Sequence, residues 1–360
     1  MVGYAATFLI LLVLVLAEQG WIRLRKGKRI DWLNMAANLN SGHLLMWLLR
    51  GVEVMAYVAV LEHASLGWVG RWPAALQWAT GLIGWDFCFY LMHRAHHAVP
   101  ALWRIHAVHH QGPEMSFSLA IRNSWYSSLS DFPFMLPLAV LGLPLEIFLS
   151  VSGFHYAIQF WNHVSPELVG KLGILDRILV TPSNHRSHHG LQAIYHNKNF
   201  GSTFLCWDKL FGSYQPELDD LPALYGLGGH PPVNNPLVMN HMRLHGRATH
   251  GSGQAVPSPY IGAGAVLLFC LVACAVARTG REGQVLLDAG IVLGSIALGA
   301  SADRVRGALV AWCLLASAAL GWAVCYAAEP FSLAVAGMLA LHGVAGWMLV
   351  GEQDKKKAPE

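Results

Sequence analysis

Charge is the scarcest property of this sequence. Charged residues make up 12% of its 360 positions, against about 25% in soluble globular domains. Charges are costly in hydrocarbon, so this shortfall, beside 54% hydrophobic residues, excludes an ordinary soluble protein and favours a lipid-embedded one. A net charge of only +3 gives no footing for nucleic acid as a partner. Cysteine is also sparse. The six cysteines contain no C-x-x-C pair, which leaves no disulfide framework and no cysteine-based zinc motif. Cys270 and Cys274, four apart in an apolar run, read as small buried hydrophobes. No solenoid repeat is present.

Long apolar runs are plentiful instead. Val2 to Ala17 has no basic residue before it and no A-x-A-like cleavage site after it, so it reads as an uncleaved signal anchor rather than a removable signal peptide. Arg23, Arg25, Lys26, Lys28 and Arg29 follow it and place its C-terminal flank in the cytoplasm. Further apolar stretches cover roughly His43–Leu61, Trp72–Leu91, Phe132–Phe160, Tyr260–Ala277, Val285–Ala300, Ala308–Ala327 and Phe331–Val350. A span needs about 20 such residues, so most qualify. Pro73 suits a first helical turn, and Arg50 with Glu53 forms an i, i+3 pair inside the second stretch. Phe132–Phe160 carries three prolines and reads as one kinked span, a re-entrant hairpin or two short spans.

Alternation from the first helix brings His93 to the cytoplasmic surface. A hairpin at 132–160 then keeps residues 161–258 on that side. Asp303–Arg306 and Lys355–Lys357 also fall in the cytoplasm, with Arg278 and Arg281 as mild exceptions to the positive-inside rule. The expected fold is all-α: a polytopic integral membrane protein with a His-rich di-metal helical lobe at the cytoplasmic membrane surface. Residues 1–258 form the expected catalytic domain and 259–360 a four-helix transmembrane region. Gly226–Pro236 and Gly251–Pro259 are Gly/Pro-rich connectors.

Histidine is the abundant exception to the lack of polar residues. Of nineteen, twelve lie between His93 and His196. Most form three clusters: His93-Arg-Ala-His96-His97, His106-Ala-Val-His109-His110 and His185-Arg-Ser-His188-His189. His163 stands between the last two. On a helix, residues three and four apart share a face, with Cβ atoms about 5–6 Å apart. Three such faces and His163 offer about nine imidazoles, and one metal takes about six ligands at most. The candidate metal ligands and catalytic residues are therefore His93, His97, His106, His109, His110, His163, His185, His188 and His189, on two ions. His96 joins the metal set as either a ligand or an outer partner. His155 and His196 stay open between ligand and structural roles. His43, His63, His230, His241, His245, His250 and His342 lie outside the clusters and read as structural. Pro100 turns the chain between the first two clusters. Ser183 or Asn184 can cap a short helix carrying the third, and Gly190 can end it. Asp86 and Asp208 are candidate carboxylates for orienting the imidazoles from behind.

Imidazole suits Zn, Cu, Fe and Ni, but structural zinc sites are closed, with four ligands that often include cysteine. Iron fits a site beside lipid, because an unactivated C–H bond needs an oxidant made from O₂. Zinc can occupy a purified sample, since it outcompetes Fe²⁺ for nitrogen donors. The reading is a membrane oxygenase with a lipid substrate and an external electron donor, as no cytochrome b5-like domain is evident. Rival readings are a His-rich membrane metal transporter, whose ligands belong at the midplane on broken helices, and a non-catalytic lipid- or metal-binding protein.

Several of these runs, in order over residues 75–215, resemble the fatty acid hydroxylase/sterol desaturase superfamily. They are Asp86-Phe-Cys-Phe-Tyr-Leu-Met-His93-Arg, His93 with His97, His106-Ala-Val-His109-His110, Gln159-Phe-Trp-Asn-His163, Thr181-Pro-Ser-Asn-His185-Arg-Ser-His188-His189, Asn199-Phe-Gly201 and Trp207-Asp-Lys-Leu-Phe-Gly212. The resemblance implies a non-haem di-iron site at the membrane surface, using O₂ and two electrons for hydroxylation or desaturation. The Gln-Phe-Trp-x-His and Thr-Pro-Ser-x-His-Arg-x-His-His runs and the extra C-terminal helices are most like the alkylglycerol monooxygenase branch. That likeness implies an ether-lipid substrate and tetrahydrobiopterin as the electron donor. The branch tends to carry glutamate directly after the first motif, where this sequence has Ala98.

Overall fold

The structure, a computed structural model, describes residues 2–228, 232–241, 251–253, 255–278, 282–327 and 329–357. His230, His245, His250 and Arg281 lie outside the described residues. Within them the regular structure is helical, apart from one isolated bridge between Leu179 and Phe204. The helices are α1 (Val2–Lys26), α2 (Trp32–Leu39), α3 (His43–His63), α4 (Ala74–Ala98), α5 (Pro100–His110), α6 (Phe117–Ile121), α7 (Ser127–Val140), α8 (Leu145–Asn162), α9 (Pro182–His188), α10 (Cys206–Leu210), α11 (Pro236–His241), α12 (Ser258–Ala277), α13 (Gln284–Ala302), α14 (Ala308–Tyr326) and α15 (Pro330–Lys357). Among the described residues, five stretches are long and apolar enough to cross a membrane: Ala6–Lys26, Ser258–Ala277, Gln284–Ala302, Ala308–Tyr326 and Pro330–Gly351. The chain is a multi-pass membrane protein. The expected span at Trp72–Leu91 becomes α4, long enough at 25 residues but not among those five. Gln77 and Asp86 lower its apolar character.

The chain divides into two compact units, residues 45–229 and residues 1–44 with 230–360. α1 belongs to the second of these and packs on α12, although it precedes the histidine clusters in sequence.

In the unit of residues 45–229, α4 is the central element and packs against α5, α7 and α8. Its Trp85, Cys88, Phe89 and Met92 meet Met135, Leu138 and Ala139 of α7 and Ile147, Phe148 and Val151 of α8 in one core. Tyr57 of α3 stacks on Phe148 at 4.0 Å and donates to the Leu143 carbonyl at 2.9 Å. Each fully buried Phe or Met side chain contributes about 1.5–3 kcal/mol. Pro73 sits at the N-cap of α4, one position before the first turn. At the other end Val99, preceding Pro100, is extended (φ −98°, ψ 118°), as a residue before proline prefers. That ends α4 and lets Pro100 open α5 in its first turn.

The proline-rich stretch 132–160 belongs to two helices. α7 runs through Pro133 and Pro137, and the chain breaks at Gly142 instead. Gly142 has φ +85°, a conformation glycine adopts without steric cost, and a Cβ there would meet the Gly67 backbone at 2.8 Å.

In the other unit, α12 packs on α1, α2, α13 and α15, and α14 packs on α13 and α15. Small residues allow close approach: a Cβ on Gly346 would strike the Tyr260 hydroxyl and the Cys313 sulfur. His342 stacks on Tyr260 at 3.9 Å. Its Nε2 donates to the Tyr260 carbonyl (2.9 Å) and its Nδ1 accepts from Trp312 Nε1 (3.2 Å). Both nitrogens are satisfied, as a structural role requires.

Candidate metal centre

Eight of the cluster histidines and His163 converge, and they do so as two groups. His93, His97, His106, His110 and His188 form one. His109, His163, His185 and His189 form the other. In each group the nearest ligand atoms all lie within 4.8 Å of one another. Helix geometry explains the partition. Residues i and i+4 differ by about 40° around a helix, whereas i+3 lies about 60° the other way. On α5 the i, i+4 pair His106 and His110 faces the first group, and His109 turns to the second. On α9 the arrangement is reversed: His185 and His189 face the second group and His188 the first. α4 contributes His93 and His97 to the first group, and His163 caps the C-terminus of α8.

Backbone carbonyls set the ring orientation. Nδ1 of His93 lies 3.0 Å from the Phe200 carbonyl, Nδ1 of His109 2.9 Å from that of Arg122, Nδ1 of His163 2.7 Å from that of Gln159 and Nδ1 of His188 2.8 Å from that of Lys198. A carbonyl only accepts, so in each ring Nδ1 carries the proton and Nε2 keeps a lone pair. Burial lowers the pKa of His109 to about 4 and that of His188 to about 3, and it pushes His163 well below the ordinary histidine value. These rings are neutral at pH 7. Yet His109 Nε2 and His163 Nε2 face each other at 3.0 Å, lone pair against lone pair. His97 Nε2, His188 Nε2 and His185 Nδ1 are buried without hydrogen-bond partners, each at a cost of about 1–3 kcal/mol.

A cation between the rings removes both penalties, so the residues fit one metal ion per group. Among the described residues no cysteine or carboxylate belongs to either group, and such all-imidazole sets suit iron, zinc, copper or nickel.

A second layer holds these carbonyls in place. Asp208 accepts from the amides of Phe200 and Gly201, each at 2.8 Å, and from Ser213 Oγ at 2.7 Å. Asp86 accepts from the Thr203 amide (2.7 Å) and Trp207 Nε1 (2.8 Å). Asn199, at φ +57°, donates to the Asn184 and Gln215 carbonyls. The two carboxylates expected to touch imidazoles therefore act one step back. They pin the 198–204 backbone, whose carbonyls orient His93 and His188. The imidazole beside Asp86 is that of His155, at 3.4 Å. His155 belongs to neither group. It bonds Thr203 Oγ1 (2.8 Å) and the Leu82 carbonyl (3.1 Å).

α9 is capped by Thr181 with Asn184 in a capping box, so neither Ser183 nor Asn184 is the cap residue itself. A Cβ on Gly190 would meet the Tyr195 ring at 2.6 Å, so glycine there permits close packing just past the helix end. Arg186 binds Glu217 through two bonds of 2.8 and 2.7 Å. Buried Arg122 reaches the Val108 carbonyl and Gln111 Oε1, each at 2.8 Å. Sequence reasoning missed both Arg122 and Glu217, because neither belongs to a histidine run.

His96, left open between ligand and outer partner, stands apart from both groups. Its Nδ1 donates to the Met92 carbonyl (2.8 Å) and its Nε2 lies 2.9 Å from Ser130 Oγ of α7, so both nitrogens are engaged away from the other imidazoles. His196 is exposed.

Comparison with known proteins agrees with this geometry. Residues 78–213 match the fatty acid hydroxylase family. An alkylglycerol monooxygenase of Danio rerio is 34% identical over 233 residues, 64% of this chain and 50% of that protein. The Homo sapiens alkylglycerol monooxygenase is 32% identical over 63% of this chain and 50% of its own length. Ornithine lipid hydroxylase OlsE of Rhizobium tropici is 31% identical over 45% of this chain and 49% of its own length. The chain thus spans about half the length of the curated relatives it matches. No solved structure matches it.

Proposed function

Because residues 78–213 match the fatty acid hydroxylase family, we propose that this chain is a membrane-bound, non-haem di-iron oxygenase that hydroxylates a C–H bond of a lipid. The observation that carries this reading is the pair of largely buried, all-imidazole groups, in which His109 and His163 turn lone pairs on one another. His93, His97, His106, His110 and His188 would hold one ion, and His109, His163, His185 and His189 the other. Iron bound there supplies the reduction of O₂ by two electrons and the oxidising power that a lipid C–H bond demands.

The chain's own residues do the rest. Burial keeps the rings neutral, so that Nε2 is available as a donor. The carbonyls of Lys198, Phe200, Arg122 and Gln159 fix which nitrogen that is. Phe200 lies 5.1 Å from His97 and 5.6 Å from His93 between ring centroids, and Trp103 lies 5.0 Å from His97 and 5.4 Å from His110. These aromatic rings wall one side of the first group.

An ether-linked lipid is the first substrate to offer, given the names of the alkylglycerol monooxygenases that the chain matches, and tetrahydrobiopterin the first electron donor. The basic run Arg23–Arg29 supports a cytoplasmic face for the site. Purified, iron-loaded protein in lipid, given an alkylglycerol, reduced pterin and O₂, is expected to consume O₂ in step with product. Metal flux across vesicles without any O₂ uptake would instead support transport and overturn the oxygenase reading.

A further inference from the structure

Residues 165–180, between α8 and α9, carry apolar side chains in an inverted order. Several of their polar groups bond within the protein. The Asp176 carboxylate accepts from the Leu172 amide at 2.6 Å and from the Thr181 hydroxyl, and the Val169 carbonyl accepts from Arg186 at 3.0 Å. Their apolar groups point out: Ile174 is 66% exposed and Ile178 57%.

This apolar surface continues onto α10. The Leu205 amide donates to the Ile178 carbonyl at 3.1 Å, and Lys209 Nζ donates to the Arg177 carbonyl at 2.5 Å. Leu210, beside them, is 70% exposed. The exposed Phe211 ring then lies 5.5 Å from Tyr90 and 6.3 Å from Phe87 of α4, next to exposed Leu91. Cations border the strip. Arg94, Arg177 and Lys209 are exposed, and Lys171 pairs with Asp219 at 2.6 Å. An apolar strip edged by Lys and Arg is the chemistry of a segment seated at the headgroup–acyl boundary of an anionic bilayer.

We propose that residues 168–178 and the end of α10 are a membrane-seating surface of the histidine lobe, with the surface of an anionic bilayer as its occupant. The same segment holds α9 through Asp176–Thr181 and Val169–Arg186, so the bilayer contact is coupled directly to the helix that carries His185, His188 and His189. The inference concerns placement and stands whether or not the oxygenase reading holds.

The test uses full-length protein in vesicles of phosphatidylcholine with phosphatidylglycerol, in a background where the exposed cysteines Cys206 and Cys325 are replaced by serine. An environment-sensitive fluorophore is attached at Ile174→Cys, at Ile178→Cys and, for reference, at His196→Cys, with metal content confirming that each variant is folded. Spin-labelled acyl chains are expected to quench the probes at 174 and 178 at least five-fold more than the probe at 196. The extra quenching should fall at least two-fold in the Arg177→Glu, Lys209→Glu double variant. Equal, water-like behaviour of all three probes would overturn the proposal. So would shielding at 174 that grows with protein-to-lipid ratio, which would assign the surface to a second copy of the chain.

Discussion

Two regions of this molecule bury histidine among helices, and they treat it in opposite ways. In the C-terminal helices the His342 ring is stacked on Tyr260, with one nitrogen donating to a carbonyl and the other accepting from Trp312. Every polar atom of the ring has a partner, so nothing further is called for. In the lobe of residues 45–229, Nε2 of His109 and His163 oppose each other while both Nδ1 atoms are already on carbonyls, and one nitrogen each of His97, His185 and His188 faces nothing. Burying polar groups in that state is costly, and a cation between the rings would remove the cost. Burial alone therefore does not distinguish a site from a structural contact; the state of the hydrogen-bond inventory does.

That contrast can be broken or sharpened by substitution. The largest effect is expected from His109→Ala or His188→Ala. Each removes a donor whose orientation is fixed by a backbone carbonyl. Turnover should fall to background and bound iron should drop, as read by product formation and elemental analysis of the same sample. Full activity and metal in both variants would refute the two-group reading.

Asp208→Ala comes next. It leaves the buried amides of Phe200 and Gly201 unpaired, and with them the carbonyl that orients His93. Activity should fall about 10–100-fold, the usual cost of losing an outer partner of a metal ligand, and thermal unfolding should show a loss of about 2–3 kcal/mol. Unchanged stability would mean that the 198–204 backbone does not depend on this carboxylate.

His96→Ala should leave iron content near wild type, because both of its nitrogens point to Met92 and Ser130. The measurable change should be about 1 kcal/mol of stability from the lost hydrogen bonds. Metal loss equal to that of His109→Ala would restore His96 to the ligand set. The smallest effect is expected from His342→Phe, which keeps the stack on Tyr260. Iron content and turnover should not change, and a loss of either would mean that the C-terminal helices take part in the site.

The convergence of the nine candidate histidines was legible in the sequence because three imidazole clusters at helical spacing put more nitrogen donors on neighbouring faces than packing or solubility calls for. Their partition was not, since residues three and four apart both fit one face, and only the folded arrangement separates the i+4 pairs from the i+3 residue. What spacing could not show is which neighbour the diverging residue meets. His96, His109 and His188 occupy the same position in their clusters. α5 and α9 turn theirs toward an imidazole group, whereas α4 packs on α7 and turns His96 toward Ser130. The loop of residues 198–204 was hidden for a different reason. Its contribution is made by main-chain carbonyls, which carry no residue signature, and its anchors Asp86 and Asp208 are far apart in the chain. The same limit applies to the break at Gly142: the prolines left a kinked span, a hairpin or two short spans open, and the break comes with a close approach to Gly67.

The central claim is that the lobe holds two ions, each in an all-nitrogen protein environment. Iron-loaded protein should be measured by elemental analysis together with X-ray absorption at the iron edge. The expected result is close to two irons per chain, with nitrogen and oxygen neighbours and no sulfur. A stoichiometry near one, or sulfur in the first coordination sphere, would contradict the account.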